Sequence, residues 1–147
     1  MWPQAVRTDD MVSNALKLAA DDRGWSITFV LQNTTTRELR GTVLEPVAAF
    51  NLEVRSESGE LLPLAQPALD IPGQPRALVL APGASVQLVT PIHLRFDPKV
   101  PPSGGDDPMV WSIRSAPVPV TLRATLAISG MPVTIAEARL VPGDPKH

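Results

Sequence analysis

Trp25-Ser26-Ile27-Thr28-Phe29-Val30-Leu31-Gln32-Asn33 sets Trp25, Ile27, Phe29 and Leu31 at one parity and Ser26, Thr28 and Gln32 at the other. Successive side chains of a β-strand point to opposite faces, so the stretch predicts a half-buried strand whose apolar face must be covered. No segment of the chain keeps helical periodicity over three turns. The cover therefore has to come from a second sheet.

The flanking segments can supply it. Upstream, Val12, Leu16, Leu18 and Ala20 share a parity, predicting a first strand over 12–20 that Asp21-Asp22-Arg23-Gly24 turns back onto the central strand. Downstream, Asn33-Thr34-Thr35-Thr36 ends the central strand with side chains that bond their own backbone. A short strand is expected over 40–45 until Pro46 stops it, and another where Phe50, Leu52 and Val54 alternate with Asn51, Glu53 and Arg55 before the Ser56–Gly59 turn and Leu61-Leu62. Four prolines between Pro63 and Pro75 predict an irregular surface crossover. Ala77–Leu80 resumes as a strand, and Ala81-Pro82-Gly83-Ala84 is a tight turn with proline at its second position and glycine at its third.

Ser85–Phe96 is the longest strand expected, with Val86, Leu88, Ile92, Leu94 and Phe96 on one face and His93 and Arg95 on the other. Pro91 cannot donate to a ladder, which predicts an edge strand or a bulge there. Asp97–Pro108, with four prolines and a Gly-Gly-Asp-Asp run, reads as an exposed loop, followed by a short strand through Met109, Trp111 and Ile113. A C-terminal hairpin is expected from the alternation of Val118–Ile128, the Gly130-Met131 turn and the returning segment Val133–Leu140. Because Val133 and Ile135 share a phase that would also bury Glu137 and Arg139, a bulge is expected near Ala136.

The expectation is an all-β fold: one antiparallel β-sandwich domain over 12–141, between an N-terminal arm (1–11) and a C-terminal tail (142–147). Counting gives about seven to nine strands. At 147 residues the chain is long enough to bury a core without metal or disulfide staples, and it has no cysteine. A formal net charge of -2 leaves no cationic excess for displacing phosphate counterions, so no nucleic-acid partner is expected. No apolar run reaches the roughly 20 residues of a membrane helix, so a soluble protein is expected, its compartment left open. Ten arginines against three lysines fit a GC-rich bacterial genome.

Chemistry-bearing residues are sparse. His93 is the one histidine within the periodic segments, His147 being the last residue, and no second histidine or cysteine completes a metal set. His93 is expected to face solvent, with no evident carboxylate to orient it, and no Gly-x-Ser-x-Gly elbow occurs, so no catalytic residue is assigned. Asp9-Asp10, Asp21-Asp22 and Asp106-Asp107 would collect calcium only if their loops met at one end, and none has the Asp-x-Asp-x-Asp-Gly spacing; they are read as turn formers. Neither metal nor cofactor is expected. Of Trp2, Trp25 and Trp111, which could make a sugar-stacking platform, Trp25 and Trp111 share parity with apolar residues and are assigned to the core.

The order of the central strand with Asn33-Thr34-Thr35-Thr36, then Phe50-Asn51-Leu52-Glu53-Val54 with Gly59 in the next turn, then Leu80-Ala81-Pro82-Gly83-Ala84-Ser85 resembles bacterial immunoglobulin-like sandwich modules. Among these it looks most like the intracellular proteinase inhibitor type, over Trp25 to Phe96. Leu61-Leu62 stands where that type has a tryptophan after the hairpin glycine. The resemblance implies an immunoglobulin-like sandwich with Greek-key connections and a non-enzymatic module that binds another protein through loops or a strand edge. The alternative is a proteinase inhibitor presenting a rigid loop, with Lys99-Val100-Pro101-Pro102 as the candidate by composition. The contact surface expected is Lys99, Val100, Pro101, Pro102, Ser103, Gly104, Gly105, Asp106 and Asp107, where proline stiffening adjoins a flexible Ser-Gly-Gly segment.

Overall fold

The computed structural model describes residues 12–68, 72–131 and 133–142. The expected N-terminal arm, with Trp2 and Asp9-Asp10, and all but the first residue of the expected tail lie outside the described residues. Ten strands follow in order: β1 (Val12–Asp21), β2 (Gly24–Asn33), β3 (Leu39–Glu45), β4 (Asn51–Ser56), β5 (Leu64–Ala65), β6 (Gln74–Leu80), β7 (Ser85–Phe96), β8 (Val110–Ile113), β9 (Val120–Leu126) and β10 (Thr134–Leu140). No helix occurs among the described residues. The fold is all-β, with three separate sheets and no barrel, an arrangement compatible with a sandwich.

The central stretch forms β2 as its parity requires: Ile27, Phe29, Leu31 and Asn33 are buried and Trp25 partly so. Asp21 pairs with Gly24 to close β1 onto β2, and the Arg23 amide donates to Asp21 Oδ1 across the turn at 2.8 Å. Only glycine suits position 24. Its φ is +132°, and a Cβ there would lie 2.2 Å from the Leu94 carbonyl oxygen.

The five-stranded sheet runs β1-β2-β7-β8-β5, with β8 parallel to β7 and the other pairs antiparallel. The expected irregularity near Pro91 is present: Thr28 pairs with Val89 but Ser26 with His93, so β7 carries extra residues there. That bulge lets a proline-containing strand lie inside a sheet rather than at its edge. Thr90, buried within it, donates from Oγ1 to the Ile27 carbonyl at 3.1 Å.

The second sheet runs β10-β9-β4 and the third is the β3–β6 pair. Rings from different elements meet in the core. Phe29 packs edge-to-face on Phe50 at 5.3 Å between centroids, and Phe50 contacts Trp111 at 4.9 Å. Such pairs contribute about 0.5–1.5 kcal/mol beyond their area burial.

Four expectations are corrected. Among the described residues ten strands form where about seven to nine were expected, the two-residue β5 being too short to show in the alternation, and β8 joins β7 in parallel where an antiparallel fold was expected. The Pro63–Pro75 segment is not wholly irregular: Leu64 and Ala65 pair with Ile113 and Ser112, and β6 begins at Gln74 with Pro75 inside it. No bulge interrupts β10, whose pairing with β9 runs unbroken from Thr134↔Leu126 to Leu140↔Val120. Its buried phase is the even one, carried by Thr134, Ala136 and Leu140, while Glu137 and Arg139 are exposed. Threonine and alanine are small enough to fill that layer where larger β-branched residues were expected. The connection to β9 is also longer than a tight hairpin, although Gly130 turns it at a φ of +84°.

Candidate interaction site

The loop proposed from composition is seated, not free. The Asp97 amide donates to the Ile113 carbonyl at 2.9 Å, and the Lys99 amide to Asp97 Oδ1 at 3.0 Å. Val100 is buried at 6% exposure, and its carbonyl accepts from Arg114 Nε at 3.1 Å. Gly104, also buried, closes a turn by donating to the Pro101 carbonyl at 2.9 Å; a Cβ on it would stand 2.4 Å from Pro67 Cγ. At the far end Asp107 accepts from the Met109 amide at 2.9 Å and from Arg23 Nη2 at 2.8 Å. Val100 and Gly104 are therefore removed from the expected contact surface, because they make the packing that holds the loop. Lys99, Pro101, Pro102, Ser103, Gly105 and Asp106 remain exposed, and Asp107 is half-buried.

The Asp21–Gly24 turn and the Asp106-Asp107 loop do meet, through the ion pair of Arg23 with Asp107. Among the described residues no three acidic, histidine or cysteine side chains come together as a metal set. His93 differs from expectation. Its side chain is 18% exposed, and Asp21 Oδ2 lies 3.0 Å from Nδ1, close enough for electrostatic contact although not aligned as a hydrogen bond. The carboxylate was not evident from sequence because it sits 72 residues away, across β2 from β7. Trp111 is buried at 4% exposure, and the half-buried Trp25 packs edge-to-face on Phe96 at 6.0 Å.

A different surface emerges from the strand edges. β1 and β10 run alongside each other, with Asn14 Nδ2 donating to the Ile135 carbonyl at 3.3 Å. The outer side of β4 is partly covered by Leu61-Leu62, where the Leu62 amide donates to Val54 at 2.9 Å and Arg55 bridges Leu61. β5 is two residues long. The outer side of β3 is met by the β9–β10 connection: Thr42 N donates to Ser129 O at 2.9 Å and Ser129 N to Thr42 O at 3.0 Å. Among the described residues, β6 has no such neighbour on its second side.

The Thr42–Ser129 pair also sets which way the β6 backbone points. Since both backbone groups of Thr42 face Ser129, the pair Thr42↔Ala77 is a non-hydrogen-bonded one within the β3–β6 ladder. Pairs alternate, so Leu44↔Pro75 and Arg40↔Val79 are non-hydrogen-bonded too. The N–H and C=O groups of Ala77 and Val79, and the C=O of Pro75, consequently point out of the sheet edge. Pro75 lacks a donor on the side where no ladder needs one, the placement a strand proline requires. Pro75, Ala77 and Val79 are exposed and share a face with Leu44, which is 54% exposed; Val79 is 53% exposed. Sequence reasoning puts Pro75 in a loop and so misses this edge. The signal available is the alternation continuing back from Leu80 through Leu78 to Arg76.

No protein-family model matches the sequence, and no curated protein matches it.

Proposed function

We propose that the protein is an immunoglobulin-like module that binds another protein by accepting an extended strand along the open edge of β6. Separate sheets β1-β2-β7 and β10-β9-β4, with the chain passing repeatedly between them, support the immunoglobulin-like Greek-key reading. The observation that carries the binding site is the phase of the β3–β6 ladder. It leaves Ala77, Val79 and Pro75 with backbone groups directed at solvent, and strand addition uses such groups for affinity and the adjacent side chains for selectivity.

A proteinase inhibitor acting through the proline-rich loop is less well supported. A loop entering a protease cleft must present consecutive extended residues, and Val100 next to Lys99 is buried with its carbonyl bound to Arg114. That leaves Lys99 and the 101–103 tip to make the contact.

The two readings separate in a capture experiment with extract from the native host. Val79→Arg, which places a charge on the apolar side of the edge, is expected to abolish capture, and Lys99→Ala to leave it intact. The opposite pattern would move recognition to the loop.

A further inference from the structure

We infer that Met131 is a redox-sensitive clasp: its thioether holds the β9–β10 connection on β3, and oxidation to the sulfoxide releases that connection and opens the outer edge of β3. The inference stands apart from strand addition at β6, since it concerns the opposite edge of the β3–β6 ribbon.

Leu39, Gly41 and Val43 share a parity on β3, and Leu39 and Val43 are buried. Without a side chain, Gly41 leaves a gap in that layer. Met131 fills it: a Cβ placed on Gly41 would stand 2.8 Å from both Cγ and Sδ of Met131. The thioether thus takes the place of the missing side chain, half-buried and packed against the core. An unbranched, polarizable side chain suits such an irregular gap.

This contact is coupled to the strand edge. The Met131 amide donates to the Ile128 carbonyl at 3.1 Å, closing a turn that contains Ser129 and Gly130. Ser129 exchanges both of its backbone hydrogen bonds with Thr42, and Gly130 passes so close to β3 that a Cβ on it would lie 3.1 Å from the Arg40 carbonyl oxygen. Thr42, and by alternation Arg40 and Leu44, direct their backbone groups to this side of β3. The Thr42–Ser129 pair and the seated thioether together hold the connection over that edge.

The thioether is also a reactive group. The chain has no cysteine, so all its sulfur is in methionine. A lone pair of the Met131 sulfur attacks one oxygen of hydrogen peroxide; the S–O bond forms as the O–O bond breaks, and sulfur gives up two electrons. The proton on the transferred oxygen passes to the departing hydroxide, which leaves as water. The product carries a polar oxygen into the layer between Leu39 and Val43, where burial without a donor is unfavourable. Leaving that layer takes the side chain off Gly41 and loosens the turn that presents Ser129. Methionine sulfoxide is enzymatically reducible, so the change reverses.

The test exposes the full chain to graded hydrogen peroxide, reading each sulfoxide by peptide mass spectrometry and each amide by hydrogen exchange. Met131→Leu keeps the apolar bulk without the sulfur. Met109→Leu removes the other described methionine, whose backbone is bonded to Asp107 and His93 instead. Peroxide is expected to oxidise Met131 and to speed exchange at Thr42 and Ser129 by about tenfold or more in the parent chain and in Met109→Leu, but not in Met131→Leu. Phe29 in β2 should stay protected, and a methionine sulfoxide reductase should restore Thr42 and Ser129. Met131 remaining reduced while free methionine in the same solution is consumed would overturn the inference. So would complete sulfoxide at position 131 with unchanged exchange at Thr42, or equal acceleration in Met131→Leu. Loss of protection at Phe29 together with Thr42 would overturn it as well, because oxidation would then unfold the chain rather than release one connection.

Discussion

Asn33 joins three parts of the chain that are distant in sequence. Wholly buried, it donates from Nδ2 to the Arg37 carbonyl at 2.7 Å and to the Leu80 carbonyl at 2.9 Å, while Oδ1 accepts from the Thr35 amide at 2.9 Å and its hydroxyl at 2.6 Å. Its backbone continues the link, donating to Ala84 and accepting from Gly83 in the β6–β7 turn. The local half of this network was legible, because an asparagine followed by threonines at a strand end bonds its own backbone. The bond to Leu80 was not, since nothing in composition pairs residues 47 apart. Asn33→Ala takes one donor from each of the Arg37 and Leu80 carbonyls and leaves the Thr35 amide without its acceptor. Its expected cost is about 3 kcal/mol in urea unfolding, against about 1 kcal/mol for Thr35→Ala. Equal losses would mean that only the local turn matters.

At the scale of elements, parity located β1, β2, β4 and β7 because each has one apolar face toward the core and a polar one away from it. It misread β10, where the buried layer is filled by Thr134 and Ala136 while Val133 is 47% exposed. Hydrophobicity then points the wrong way, and only the pairing with β9 decides the register. Parity also located β8, through Met109, Trp111 and Ile113, but missed that its other face is buried too: all four of its residues are. The 97–108 loop was recognisable by its prolines, but its attachment depends on contacts to Arg23, Pro67 and Arg114, which are remote in sequence. Val100→Ala is expected to cost about 1–2 kcal/mol through lost burial. It should also speed tryptic cleavage after Lys99, by freeing the loop to enter a protease. Unchanged stability together with unchanged cleavage would show that Val100 does not seat it.

Across the whole molecule, the strand edges are managed unequally. β1 and β10 run alongside each other, 61–65 passes from the side of β4 to pair with β8, and the β9–β10 connection meets β3. Exposed strand edges invite pairing with other chains, which proteins ordinarily prevent by covering, charging or shortening them. β6 keeps a seven-residue edge on which the devices present are a proline, Pro75, and one charged residue, Arg76. The all-β class followed from the alternation and turn residues, but the open edge depends on which strand lies beside which, and that is a property of the assembled chain.

Amide hydrogen exchange resolved by residue tests this account most directly. In dilute protein, where no partner occupies the edge, Ala77 and Val79 are expected to exchange rapidly while Arg76 and Leu78, bonded to β3, are protected. Protection of Ala77 and Val79 in dilute protein, with exchange at Arg76 and Leu78, would contradict the account, because the edge of β6 would then already be closed.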